Sequence, residues 1–125
     1  MTSTPTALKP ALPELEALLS RSPAESAQEE LRVSRDFWDS DWEVEEMERL
    51  EEEFRFDYAR SAEQVRAAWG TPVFSGTWED DGFPEWAICL EMTVWRRGAF
   101  LAYVGFEHQD KELPIMVTVG VKRED

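Results

Sequence analysis

Few side chains in this chain are of a type and spacing that could do chemistry. Glu91, Tyr103 and Glu107 fall at odd positions of expected strands, so they can share one sheet face, where two carboxylates beside a phenol form the best acid–base constellation available. His108 stands beside Glu107 and near Asp110 at an expected strand end, which would allow a histidine–acid pair or a metal site with a single histidine. Adjacency in sequence is weak support for either, and an exposed loop histidine is the expectation. Cys89 has no base beside it, so an inert thiol, buried or half-buried, is expected rather than a nucleophile. The turn Asp80-Asp81-Gly82 does not fill out a calcium loop, and the sequence contains no glycine-rich phosphate loop or nucleophile motif. No catalytic residue, metal site or cofactor is therefore expected.

The stronger signal is electrostatic. Between Asp36 and Asp57 lie eleven acids against Arg49 and Arg55, with Glu51, Glu52 and Glu53 in succession. A solvated helix face is the simplest explanation. Like charges three or four residues apart nevertheless destabilise a helix by roughly 0.2–0.5 kcal/mol per pair, a cost that a basic partner would offset. Just upstream, Phe37-Trp38-Asp39-Ser40-Asp41-Trp42 sets large rings among carboxylates, a combination that suits stacking on and pairing with a partner's Arg or Lys. The competing explanation is that Trp38 staples the start of a helix against the sheet.

Composition narrows the classes further. The 125 residues carry 13 Lys plus Arg against 27 Asp plus Glu, a net charge of -14 that is repelled by nucleic acids and anionic membranes. An apolar content of 42%, with six tryptophans and seven phenylalanines, is enough to build one folded core. A single cysteine excludes an intramolecular disulfide and points to a reducing, cytoplasmic compartment. The N-terminal residues lack the pattern of a signal peptide, and no apolar window reaches the roughly 18 residues of a membrane span. Arginine outnumbers lysine ten to three, isoleucine occurs twice and asparagine never, the bias of GC-rich codons, so a bacterial source is expected.

The elements that must position these groups fall into two halves. Pro5, Pro10 and Pro13 mark residues 1–12 as a flexible lead-in. Leu15, Leu18 and Leu19 predict a short helix opening at Pro13. Ser22-Pro23-Ala24-Glu25 reads as a capping box and predicts a second helix over 23–35, with Ala24, Ala27 and Leu31 on its thin apolar face. Ser40 with Glu43 predicts the main helix, along which Val44, Met47, Leu50, Phe54 and Tyr58 recur at three and four. Ser61 with Gln64 predicts a further short helix, closed at Gly70 and Pro72.

From Pro72 the period becomes two. The sets Trp86 to Val94, Phe100 to Phe106 and Ile115 to Val121 predict three strands joined by short turns, with a weaker strand over Val73 to Trp78. Met92 and Val94 are expected to face the helices together with Phe100, Ala102, Val104 and Phe106. Cys89, Glu91, Trp95, Leu101, Tyr103 and Met116 would then share a mixed opposite face that calls for cover.

The expected fold is α+β: three to four N-terminal helices packed on one face of a four-stranded antiparallel meander, one domain over 13–125 with helices in 13–70 and sheet in 71–123. The expected function is a non-enzymatic acidic protein-interaction module, of inhibitor or immunity type, that neutralises a basic partner. Its expected contact residues are Trp38, Asp39, Asp41, Trp42, Glu46, Glu51, Glu52 and Glu53. One alternative is a small acidic secretion-type chaperone, dimeric through the second sheet face. Another is an enzyme or small-ligand binder using Glu91, Tyr103 and Glu107 on that face.

Overall fold

Leu50, Phe54, Tyr58, Ser61, Ala62 and Val65 recur at three- and four-residue intervals without a break, and the backbone follows them as one helix. The structure, a computed structural model, describes residues 7–34, 44–108 and 114–124. Within these the element order is α1 (Ala11–Arg21), β1 (Ser26–Val33), α2 (Val44–Trp69), β2 (Phe74–Thr77), β3 (Glu91–Arg97), β4 (Phe100–Glu107) and β5 (Met116–Arg123). The five strands form one antiparallel sheet in the order β1-β5-β4-β3-β2. β1 and β2 are its two edges, and the chain passes from one edge to the other by way of α2.

Two helices and five strands replace the expected three to four helices on a four-stranded meander. The largest correction is 23–35, expected as a helix and found as edge strand β1. Ala27 and Leu31 are four apart, a spacing that stays on one face of either a helix or a strand, so periodicity could not decide. Pairing with β5 from Ser26↔Lys122 to Val33↔Met116 decides it, with a bulge between Glu30 and Arg32. Ser22 is no N-cap: it closes α1 in the left-handed region (φ 46°), its N–H bonded to the Leu19 carbonyl. Charged residues suit β1 because an edge strand must resist pairing with other chains.

The second correction joins the two expected helices on either side of Ser61 into α2. Ser61 lies buried within the helix's packed stripe, so it caps nothing. The end at Gly70 is as read from the sequence, its N–H bonded to the Arg66 carbonyl at 2.8 Å.

The main core lies between the helices and the sheet. Ala11, Leu15 and Leu18 of α1 and Leu50, Phe54 and Val65 of α2 close over Trp95, Ala102, Val104, Phe106, Val117 and Val119. Each large apolar side chain buried this fully contributes about 1.5–3 kcal/mol. Of the expected lead-in, residues 1–6 lie outside the described residues; the Lys9 N–H donates to the Leu31 carbonyl at 2.9 Å, and Leu8 and Leu12 pack on the core.

β3 presents the opposite face to the one expected. Glu91, Thr93 and Trp95 turn toward the helices, while Met92 and Val94 lie beyond the sheet with Tyr103. Both faces of β3 are buried, so apolar alternation does not choose between them. The hairpin does: Arg97 pairs with Phe100 across Gly98-Ala99, and Gly98 takes the positive φ (61°) that such a two-residue turn needs. Three contacts fix this face. The Trp95 Nε1–H donates to the Gly70 carbonyl (3.0 Å), the Thr93 hydroxyl meets that of Tyr58 (2.8 Å), and Glu91 lies 3.6 Å from Arg55.

The second sheet face is partly covered by the chain itself. Residues 78–90 fold back so that Phe83, Trp86, Ala87 and Cys89 pack over Met92, Val94, Leu101 and Tyr103.

Candidate functional site

The acidic helix divides its carboxylates between two directions. Arg32 of β1, its side chain 13% exposed, donates to Glu53 at 2.8 Å and to Asp57, and its guanidinium lies 4.4 Å from the Phe54 ring centre. Glu51 Oε1 is 2.5 Å from His108 Nδ1, at the end of β4. His108 is therefore not the exposed loop residue expected: its side chain is 5% exposed and joins α2 to the sheet. Glu46 lies 3.8 Å from Arg49, one turn away.

The outward face carries a different set. Glu45, Glu48, Glu52 and Phe56 follow one another at three- and four-residue steps and are all exposed, Phe56 by 63%. Among the described residues Glu45, Glu48 and Glu52 make no ion pair. Of the eight expected contact residues, Glu52 faces outward and Glu46 is partly covered, while Glu51 and Glu53 bond to His108 and Arg32. Trp38, Asp39, Asp41 and Trp42 lie outside the described residues. Glu45 and Glu48 were not singled out in the sequence, although the buried stripe through Leu50, Phe54 and Tyr58 already implies that they face out.

On the second sheet face, Tyr103 of β4 reaches across β5 toward β1. Gly120 makes this possible: a Cβ there would collide with the Tyr103 hydroxyl and ring. The Tyr103 hydroxyl donates to Gln28 Oε1 at 3.4 Å, and Gln28 Nε2 donates to Glu107 at 2.9 Å. Glu107, 1% exposed, also accepts from the Thr118 hydroxyl at 2.7 Å. Two of the three groups of the expected acid–base constellation are thus linked through Gln28, while Glu91 lies on the opposite face beside Arg55. Gln28 was missed because its segment was read as a helix.

Trp86 stands over Tyr103 with ring centres 5.4 Å apart, and between this pair and the start of β1 opens a cleft of about 530 Å³. Cys89 borders the cleft. Burial first, and then the Glu107 charge, push its thiol up to about 12, against a lowering hydrogen bond with Thr118. Burial likewise raises Tyr103. Neither group supplies an anionic nucleophile near neutral pH.

No protein-family model, curated protein or solved structure matches this chain.

Its own geometry thus carries the functional argument. Among the described residues, no three or more His, Cys, Asp or Glu side chains are grouped to hold a metal ion, and no helix is long and apolar enough to cross a membrane. The arrangement offers two surfaces: an acidic helix face that ends on an exposed aromatic, and an aromatic-walled cleft.

Proposed function

We propose that this chain is a non-enzymatic protein-interaction module that binds a basic protein partner through the outer face of α2, in the manner of an inhibitor or immunity-type protein. The observation that carries this reading is the outward stripe Glu45, Glu48, Glu52 and Phe56, three acids that make no ion pair among the described residues, followed by a ring exposed by 63%. A net charge of -14 gives the stripe a long-range field that steers a basic surface, and Phe56 supplies the apolar anchor that charge alone lacks. Trp38, Asp39, Asp41 and Trp42 precede the helix in sequence and extend the same acidic and aromatic character. Cys89, a buried thiol held protonated, suits a reducing, cytoplasmic setting.

The dimeric chaperone alternative would pair two chains through the second sheet face, part of which residues 78–90 cover. No observation now favours it.

The test is affinity capture from an extract of the source cells, using the wild-type chain and a Glu45→Gln, Glu48→Gln, Glu52→Gln variant. One stoichiometric basic protein, retained by the wild type at low salt, released at high salt and lost from the variant, supports the proposal. Equal retention by both chains, or no basic protein retained, overturns it.

A further inference from the structure

The cleft on the second sheet face lies apart from α2 and rests on separate observations. Its volume of about 530 Å³ falls within the span of small-ligand sites. The inner wall is aromatic, with Trp86 tilted 50° over Tyr103, and Ile88 extends it as apolar surface. Lys122 lines the mouth on the face of Tyr103, while the next residue, Arg123, turns to the other sheet face, its guanidinium 4.6 Å from the Phe100 ring centre.

Arg123 is held by its donations to the Pro23 carbonyl and the Ser22 hydroxyl, both at 3.1 Å. Lys122 holds its ammonium 5.8 Å from the Trp86 ring centre and 3.7 Å from Glu124, an exposed contact of little strength. Behind Gln28, which lines the cleft, is the buried carboxyl of Glu107, which makes the Gln28 end unfavourable for a second carboxylate.

We propose that this cleft binds a small organic anion with a planar apolar body, of the aromatic carboxylate class. The ring stacks on Trp86 inside the cleft, and the carboxylate stays at the mouth against Lys122. The aromatic wall selects the flat body, while Lys122 outside and Glu107 behind Gln28 fix its orientation.

Calorimetric titration of the full chain with 2-naphthoate, and with its uncharged analogue 2-naphthamide, tests the proposal. The acid should bind saturably at one site, and the amide about tenfold more weakly. Lys122→Met should lower the affinity for naphthoate about tenfold and leave that for the amide unchanged. Ala24→Phe, at an exposed position on the cleft wall, should abolish binding of both probes without altering thermal unfolding. Absent saturable binding of naphthoate, equal binding of acid and amide, or naphthoate binding unchanged by Lys122→Met or Ala24→Phe would overturn the proposal. None of these outcomes bears on the α2 surface.

Discussion

Arg32 on edge strand β1 donates to Asp57 in the middle of α2, with side chains only 13% and 11% exposed. This ion pair ties edge strand β1 to the helix that follows it in sequence. It also turns part of the acidic run inward: Asp57 and Glu53 supply counter-charges to a largely buried cation. The surface left for a partner is accordingly Glu45, Glu48, Glu52 and Phe56.

Asp57→Leu should destabilise the chain by about 2–4 kcal/mol, because it removes the buried carboxylate that Arg32 pairs with and leaves the half-exposed Glu53 to it. Adding Arg32→Met should recover a substantial part of that loss, since removing both charges leaves no buried ion without a counter-charge. Urea unfolding of the two single variants and the double variant measures the coupling. Additive losses would mean that the pair contributes nothing to the joint between β1 and α2.

Alkaline pH should weaken the fold. The Cys89 thiol titrates near 9 in the unfolded chain and is pushed up to about 12 by burial in the folded one. Between those values the unfolded chain ionises and the folded chain does not, so stability is fully present below about pH 9 and falls toward pH 12, by roughly 1.4 kcal/mol per pH unit per group. Tyr58, raised from 10 to about 12 chiefly by burial, steepens the fall above pH 10. In Cys89→Ala the urea midpoint should therefore decline less between pH 9 and 10 than in the wild type.

Gly120→Ala should cost about 1–3 kcal/mol by driving its new methyl group into the Tyr103 ring. Combining it with Tyr103→Ala should cost less than the sum of the two changes, because the clash then has no second party. Thermal unfolding of the three variants provides the comparison, and a fully additive double variant would show that Tyr103 does not lie over Gly120.

How much was legible in the sequence differs element by element. The alternations Phe100 to Phe106 and Ile115 to Val121 located β4 and β5 and their core faces, because each has one strongly apolar set. The stripe through Leu50, Phe54 and Tyr58 located the packed face of α2. β1 was not legible: Ala27 and Leu31 satisfy both periods, and pairing with Val117 to Lys122, some ninety residues away, overrides the helical preference of Gln28, Glu29 and Glu30. The face of β3 was hidden because both its sides are apolar, although the two-residue turn Gly98-Ala99 carried the parity. The inward acids could not be separated from the outward ones until Arg32 and His108 were located, since the Arg32 segment was read as a helix and His108 follows β4, two strands beyond β2 in sequence.

The most direct test of the proposed function is the association rate constant of the captured basic protein, measured for the wild type and for the Glu45→Gln, Glu48→Gln, Glu52→Gln variant from low to high salt. Charges at the edge of an interface act mainly on encounter, so the variant should associate about tenfold more slowly at low salt, with a flatter salt dependence and little change in dissociation. Phe56→Ala should do the reverse, hastening dissociation while leaving association unchanged. Identical association rates and salt slopes for wild type and triple variant would contradict the proposal and leave the outer face of α2 as ordinary solvated surface.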